Sequence, residues 1–272
     1  MRRSVPAILA ACLTLAGCVT GQSLQERDFA IEPSPEPAAV SFSGNLKPVI
    51  KQAGSSYLTV VVSEPIKQTR DSGLSQEALT AGSGFLIDAD RAVTAGHVAL
   101  RDKLKVEARG PDGQLYGGKV IGIRPQNDMA MVQLRRFSAG TPVKPAALAC
   151  LKQGEPVFSL GKPHAMGDTA RLGTVDTMSF GQQVTYQGFG YPDAMVLKMA
   201  TRKGESGGPL FNTKGELVGM IVSTLSDQNG APLNLAHAVT LPALADFICQ
   251  QGDCPAEWAN LRTQSTRNCP AT

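Results

Sequence analysis

Residues 204–210 read Gly204-Glu205-Ser206-Gly207-Gly208-Pro209-Leu210, the most specific segment of the chain. A serine hydroxyl is a poor nucleophile unless a base takes its proton and hydrogen-bond donors await the developing oxyanion. Glycines on both sides of Ser206 permit a strained turn that points the backbone N–H groups of Gly204 and Ser206 at one spot. The segment therefore predicts a nucleophilic serine with an oxyanion hole. The alternative is an ordinary glycine-rich hairpin.

A candidate base lies upstream, in the segment Val93-Thr94-Ala95-Gly96-His97-Val98. This segment follows a strand-like run at residues 82–87 and a turn at residues 88–90. A histidine at the end of a strand, in a turn of small residues, is well placed to act as a general base near neutral pH. The alternative for His97 is a structural histidine whose hydrogen bonds are satisfied inside the fold.

An acidic residue, Asp128, opens the apolar strand-like segment Met129–Leu134. A carboxylate in that position is expected to be at least partly buried, and a buried carboxylate needs a partner. A histidine N–H is such a partner, because the carboxylate fixes the tautomer and stabilises the imidazolium. Otherwise Asp128 is a turn aspartate that caps the loop before a strand.

Together the three segments resemble the chymotrypsin-like serine peptidases, especially their bacterial high-temperature-requirement branch. The resemblance covers about residues 50–248 and implies an all-β fold of two six-stranded antiparallel barrels, over 45–143 and 150–240, within a domain at 45–250. It also implies that Ser206 attacks a peptide carbonyl, that His97 acts as base and then acid, and that Asp128 orients His97. Under this resemblance no cofactor is expected.

Composition agrees with a β-rich fold, since the chain contains 28 glycines and 18 prolines, and short apolar runs alternate with turn residues. One helix is predicted at Leu241–Gln250, where Pro242 lies near the start of an apolar face. The net charge is only +3 and no basic run is present, so nucleic acid is not expected as a partner. No second composition class follows the core, so we expect no added peptide-binding (PDZ) domain.

The N-terminus predicts export and lipidation. Residues 1–17 combine Arg2 and Arg3 with an apolar stretch too short to span a bilayer, which indicates a signal peptide. Leu15-Ala16-Gly17-Cys18 resembles a bacterial lipobox, which implies a lipid on Cys18 and, since Val19 follows it, the outer membrane facing the periplasm. After Cys18 the sequence is polar and punctuated by prolines, which predicts a flexible tether without fixed structure over 18–44. The alternative is an ordinary secretory signal in which Cys18 is incidental.

Four further cysteines remain for the folded part of an exported chain. An even count in an oxidising compartment predicts two disulfides. We favour Cys249–Cys254 across a tight turn, and Cys150–Cys269 fastening a C-terminal tail at 251–272, although the other pairings stay open. No C-x-x-C spacing occurs, so no metal site is expected.

Substrate specificity is predicted from the same resemblance. The residue six positions before the nucleophile lies at the base of the specificity pocket in trypsin-like relatives, and here it is Ala200. The walls are expected from Ser223, Thr224 and His237. With no carboxylate there, a buried substrate cation would be unpaired, so we expect small or medium apolar side chains before the scissile bond. An alternative is that His237 and a neighbouring hydroxyl bind an acidic side chain, and another is that His237 only lines the rim.

Three features depart from the family pattern, and the first two are departures from its digestive members (the digestive relatives). Glu205 replaces the aspartate that pairs with a new N-terminus on activation, and no Ile-Val-Gly-Gly start is present, so zymogen cleavage is not expected. A long polar stretch, Ser63–Thr80, is predicted as a loop, either regulatory or simply mobile. His164 is interpreted as a surface histidine.

Two rival functions are open. Ser206 also fits the nucleophile elbow of α/β-hydrolases, with Asp227 and His237 following in that order, although an elbow must open a helix and Pro209 opposes one. This alternative is an esterase. The second rival is a non-catalytic binding module on a peptidase fold, in which an intact triad is locked inactive.

Overall fold

The computed structural model describes residues 27–35, 45–65, 76–164 and 166–266, and its regular structure is mostly strand. The strands are β1 (Ala30–Glu32), β2 (Tyr57–Pro65), β3 (Gln76–Leu86), β4 (Arg91–Ala95), β5 (Lys105–Arg109), β6 (Leu115–Arg124), β7 (Met129–Leu134), β8 (Pro156–Gly161), β9 (Thr169–Thr177), β10 (Val184–Tyr186), β11 (Phe189–Tyr191), β12 (Met195–Lys198), β13 (Pro209–Asn212), β14 (Leu217–Ser226) and β15 (Pro232–Thr240). The helices are α1 (Lys47–Gly54), α2 (Gly96–Ala99), α3 (Leu241–Gln250) and α4 (Ala256–Ala259).

The first barrel is closed and antiparallel, with strand order β2-β3-β4-β7-β6-β5 and β5 returning to β2. Side chains alternate between its interior and solvent, as in β5, where Val106 and Ala108 are buried and their neighbours are not. The interior is filled by aliphatic residues, among them Leu58, Val60 and Val132. Its strands lie within the predicted range of 45–143.

The second barrel follows the order β9-β12-β15-β14-β13-β8 and closes through the pairing of β8 with β9. Two six-stranded antiparallel barrels therefore confirm the predicted fold class. The helix predicted after the last strand is α3, with Pro242 in its first turn. Its apolar face packs into the core through Leu241, Leu244, Ala245, Phe247 and Ile248.

Residues 27–35 differ from the unstructured tether predicted over 18–44. Strand β1 pairs in parallel with β9, and Arg27 is buried in an ion pair with Asp168 at 3.5 Å. The ring of Phe29 packs edge-on against Tyr57, with 5.6 Å between centroids. These contacts fix the segment although its sequence is polar and rich in proline. The signal peptide at 1–17 and Cys18 lie outside the described residues.

The loop predicted at Ser63–Thr80 is shorter than expected, because β2 and β3 continue into it. Ser63 pairs with Ala78 and Glu64 with Glu77, so both ends of the stretch belong to barrel 1. Strand pairing extends because each strand satisfies the backbone groups of the other. Residues 66–75 of this stretch lie outside the part that the structure describes.

The C-terminal segment is attached to the second barrel. The predicted disulfide Cys249–Cys254 is present, and the indole of Trp258 in α4 is fully buried. Cys150 is also disulfide-bonded, and Cys269, the partner predicted for it, lies outside the described residues. Among the helices described here, none combines the length and apolar character required to cross a bilayer.

Candidate active site

The predicted base and its carboxylate partner meet at one end of barrel 1. His97 lies in α2 directly after β4, and Asp128 directly precedes β7, which pairs with β4. His97 Nδ1 lies 2.8 Å from Asp128 Oδ2 and 3.1 Å from Oδ1. The backbone N–H of His97 donates a second bond to Oδ1 at 2.8 Å. Adjacent strands thus hold the pair that the sequence placed 31 positions apart.

Asp128 is fully buried, which makes these donors necessary, because an unpaired buried carboxylate is strongly unfavourable. Its backbone is left-handed, with φ of 49°, and its carbonyl accepts the N–H of Gly96 at 2.9 Å. A Cβ added to Gly96 would lie 3.1 Å from Asp128 Oδ1. The glycine before His97 therefore allows the close approach of the two segments.

The serine loop of barrel 2 has the strained turn that the glycines predict. Gly204 and Gly207 have φ of 98° and 84°, and a Cβ on Gly207 would approach the carbonyl oxygen of Ser83 to 2.2 Å. Ser83 of β3 braces the loop, since its N–H donates to the Ser206 carbonyl and its hydroxyl to the Gly204 carbonyl, both at 2.9 Å. Sequence reasoning missed Ser83 because it lies inside a strand-like run.

The loop lies on the side of barrel 1 that carries His97. A Cβ built on Gly82 would meet Val98, the neighbour of His97, and also the carbonyl oxygen of Ser206 at 3.0 Å. Within the described residues, the N–H groups of Gly204 and Ser206 donate to no protein acceptor, as an oxyanion hole requires. In the same part of the chain, the Ser206 hydroxyl and His97 are not joined by a hydrogen bond.

Glu205, the residue before the serine, has an internal partner. Its carboxylate accepts two bonds from Arg171 Nε of β9, at 2.6 and 2.8 Å, and the N–H of Arg202 at 2.6 Å. Both side chains of the ion pair are buried, and burial raises the pKa of Glu205 against the opposing effect of Arg171. The cation that pairs with the residue before the serine is therefore an arginine of the same chain, on β9.

A separate two-stranded hairpin, in the connection between β9 and β12 of barrel 2, reaches the His97–Asp128 pair. Strands β10 and β11 are joined by Gln187 and Gly188, both at positive φ as in a two-residue hairpin turn. The hydroxyl of Tyr186 donates to Asp128 Oδ2 and lies 3.3 Å from His97 Nδ1. Sequence reasoning missed Tyr186, because the contact depends on how one barrel lies against the other.

The predicted pocket residues lie on neighbouring strands. Ser223 of β14 faces His237 of β15 across the ladder, and Tyr191 OH lies 2.8 Å from Ser223 Oγ and 2.7 Å from His237 Nδ1. Thr224 Oγ1 contacts Thr201 Oγ1 at 2.7 Å, next to the half-buried Ala200.

His237 is buried, which lowers its pKa, and its Nε2 has no hydrogen-bond partner among the described residues. The ring of Phe180 packs against the imidazole with 4.5 Å between centroids. His237 is therefore an interior residue rather than a surface one, in contrast to His164, which is exposed as predicted.

The remaining predictions concern the esterase alternative and metal binding. The esterase interpretation is wrong in its local structure, because strand β13 rather than a helix follows Ser206. The carboxylate of Asp227 accepts the N–H groups of Asn229 and Ala231 in an exposed turn.

Over the described ranges, no group of three or more His, Cys, Asp or Glu side chains is placed to hold a metal ion.

Two six-stranded barrels, with a His–Asp pair on one and a glycine-flanked serine loop on the other, define a chymotrypsin-like fold. A family model, the trypsin-like peptidase domain, matches residues 82–220, slightly more than half of the chain. The chain therefore belongs to the trypsin-like peptidase family.

Two curated relatives illustrate this membership. The periplasmic serine endoprotease DegP of Escherichia coli strain K12 is 29% identical over 175 residues, which are 63% of this chain and 35% of DegP. A probable serine protease, do-like, of Buchnera aphidicola subsp. Acyrthosiphon pisum is 33% identical over 153 residues, 55% of this chain and 31% of that protein. The chain thus matches about a third of the length of these relatives.

Solved structures support the fold. The Rv3671c protease in its inactive form aligns with a TM-score of 0.61 and 22% identity, covering 83% of this chain and 100% of that one. The HtrA-type protease AlgW with a tripeptide aligns with a TM-score of 0.62 and 18% identity, covering 76% and 63%. At this low sequence identity, these similarities show the fold alone.

Proposed function

We propose that the protein is a serine endopeptidase whose catalytic triad is His97, Asp128 and Ser206. The observation that carries the proposal is the buried Asp128 carboxylate bonded to His97 Nδ1, next to a serine loop whose Gly204 and Ser206 N–H groups have no acceptor among the described residues. Family membership and the serine endoproteases among the relatives support the same reaction. Covalent labelling of Ser206 would separate this function from the alternative of a non-catalytic module on the same fold.

The reaction begins when the Ser206 hydroxyl attacks the carbonyl carbon of the scissile peptide bond. His97 Nε2 takes the hydroxyl proton, while Asp128 holds the Nδ1–H and stabilises the imidazolium. This step requires Ser206 Oγ and Nε2 to approach to about 2.6–3.2 Å, a bond that is often long without substrate and tightens on binding. The tetrahedral intermediate places its oxyanion against the N–H groups of Gly204 and Ser206.

The intermediate collapses when the imidazolium of His97 gives its proton to the leaving amine. The C–N bond breaks and an ester between Ser206 and the acyl part of the substrate remains. A water molecule then attacks this ester with His97 again acting as base, and Ser206 recovers its proton. No metal or other cofactor takes part in these steps.

Substrate preference follows from the pocket. Ala200 is small and uncharged, and no carboxylate is among the predicted wall residues Ser223, Thr224 and His237, so we propose small or medium apolar side chains before the scissile bond. One observation favours the alternative of an acidic side chain: within the part of the chain that the structure describes, the buried Nε2 of His237 has no hydrogen-bond partner, while Tyr191 contacts Nδ1. Cleavage of a peptide library separates the two, and cuts mainly after Arg or Lys would contradict both.

We also propose that the protein acts in the cell envelope. DegP of Escherichia coli is a periplasmic serine endoprotease by name, which supports that compartment, and the two disulfide-bonded sites fit an oxidising environment. Anchoring through a lipid on Cys18, with the domain facing the periplasm from the outer membrane, is the finer proposal and rests on the lipobox resemblance. Protein or peptide substrates are the expected partners.

The direct test of the reaction is peptide hydrolysis by the purified protein and its Ser206→Ala variant. The variant removes one partly exposed oxygen, so it should fold normally and lose turnover by about 10⁶-fold. A variant that kept most of its activity would refute the mechanism. Folding of the variant is checked by its thermal unfolding midpoint.

A further inference from the structure

Tyr186 contacts the His97–Asp128 pair from outside barrel 1. It ends β10 in a separate two-stranded hairpin that connects β9 and β12 of barrel 2, and β11 of this hairpin lies against the turn Pro125–Asn127 just before Asp128. The Tyr186 hydroxyl donates to Asp128 Oδ2, and its ring meets the His97 imidazole edge-on, with 5.6 Å between centroids. The side chain therefore bridges the two barrels at the proposed triad.

The hydroxyl supplies a third donor to a carboxylate that already has two. Asp128 accepts the backbone N–H and the Nδ1–H of His97, and Tyr186 takes a further lone pair on Oδ2. Burial, and then the charge of Asp128, raise the pKa of the Tyr186 hydroxyl far above its usual range. The hydroxyl therefore remains protonated, and acts as a donor, over the whole working range of pH.

We propose that Tyr186 is a positioning residue of the site, whose hydroxyl fixes the Asp128 carboxylate and limits how strongly that carboxylate favours protonated His97. The inference rests on the proposed function for its catalytic meaning. A donor to Oδ2 withdraws part of the carboxylate charge, so less negative charge faces the imidazolium. His97 therefore remains unprotonated, and able to act as a base, at lower pH.

The same hairpin also connects the pair to the proposed pocket. Tyr191, at the end of β11, contacts both His237 and Ser223, and its ring lies 6.2 Å from that of Tyr186. Among the described residues, the ionisable side chains in hydrogen-bonding or ring contact with His97 are Asp128 and Tyr186. The hairpin turn at Gln187 and Gly188 lies between Tyr186 and Tyr191.

The test is a pH titration of His97 that is monitored by NMR. It is carried out in a Ser206→Ala background, with and without Tyr186→Phe. The phenylalanine keeps the ring against His97 and removes only the hydroxyl. Because the chain has three histidines, the His97 signals can be assigned with single variants of His164 and His237. We expect Tyr186→Phe to raise the pKa of His97 by about half a unit to one unit, a part of the strength of a hydrogen bond to a charged group.

A matched control is Tyr116→Phe, which removes a hydroxyl bonded to Asp112 at 2.6 Å and belongs to barrel 1. The control should leave the His97 titration unchanged. An unchanged His97 titration in Tyr186→Phe would overturn the inference. This readout needs no activity, so it is independent of whether the protein proves to be a peptidase.

Kinetics give the second readout in the protein with Ser206 intact. Tyr186→Phe should lower kcat/KM by about tenfold at neutral pH, as loss of one hydrogen bond to a charged group implies, and should move the acidic limb of the pH profile upward. A structural role alone would change the rate but not the position of that limb. An acidic limb that does not move would contradict the inference.

Discussion

At the residue scale, the proposed mechanism requires that His97 and Ser206 act as one unit. His97→Ala should reduce peptide hydrolysis about as much as Ser206→Ala, by about 10⁶-fold, because neither group works without the other. The double variant with both His97→Ala and Ser206→Ala should therefore hydrolyse peptides only slightly more slowly than either single variant. Steady-state rates of the three variants test this, and fully multiplicative losses would contradict a shared mechanism.

His237 gives a pH prediction with a defined sign. Burial lowers its pKa below the ordinary value of 6.5, so the unfolded chain binds the proton more tightly than the folded one. The stability from neutral His237 is therefore present above about pH 6.5 and is lost as the pH falls. His237→Gln, which cannot titrate, should show a smaller drop in melting temperature between about pH 7.5 and pH 5.5 than the parent protein.

The exposed His164 provides the matched control for that measurement. His164→Gln should keep the pH dependence of the parent protein, because the His164 side chain is exposed in the folded protein whereas His237 is buried. If the parent protein, His237→Gln and His164→Gln showed the same drop in melting temperature, His237 would not be the cause of the pH dependence.

Local sequence patterns predicted those features of the fold that depend on only a few neighbouring residues. The glycines around Ser206, the turn before His97 and the short spacing of Cys249 and Cys254 each act over a few residues. Tyr186 and Ser83 could not be predicted in the same way, because their contacts join segments of different barrels. The ion pair of Glu205 with Arg171 could not be predicted from local sequence either, since Arg171 lies on a strand that is distant along the chain.

At the element scale, the buried pair of Arg171 on β9 and Glu205 in the serine loop is expected to fix the loop. Arg171→Met leaves the Glu205 carboxylate buried without its cation, and should lower the free energy of unfolding by about 3–5 kcal/mol. Adding Glu205→Gln to that variant should restore a large part of the loss. Urea denaturation measures both values.

An exposed pair in barrel 1 is the control for this prediction. Arg101 and Glu64 are 2.6 Å apart and about half exposed, so Arg101→Met should change the unfolding free energy by less than about 1 kcal/mol. Equal losses in Arg101→Met and Arg171→Met would contradict a special role for the buried pair.

The elements also mark where sequence reasoning reached its limit. The pattern of short apolar runs predicted the barrels, and Pro242 with its apolar face predicted α3. The segment at residues 27–35 was predicted as tether, because proline and charge dominate its composition. Its order comes from Arg27 meeting Asp168 and Phe29 meeting Tyr57, contacts that no local pattern indicates.

At the scale of the whole molecule, the proposed anchor and the folded domain should be separable. Cys18→Ser removes the only proposed site of lipid attachment, so the protein should move from the membrane fraction to the soluble fraction with its rate of peptide hydrolysis unchanged. Fractionation followed by an activity assay measures both. Continued sedimentation with membranes would refute the lipobox interpretation.

The central claim is that Ser206 is an activated nucleophile, and covalent labelling tests it most directly. Purified protein is incubated with a fluorophosphonate, with and without a peptide substrate, and the modified residue is located by peptide mass mapping. The account predicts one adduct, on Ser206, that disappears in Ser206→Ala and is strongly reduced in His97→Ala. Absence of a Ser206 adduct under every condition would contradict the account and favour a binding module on a peptidase fold.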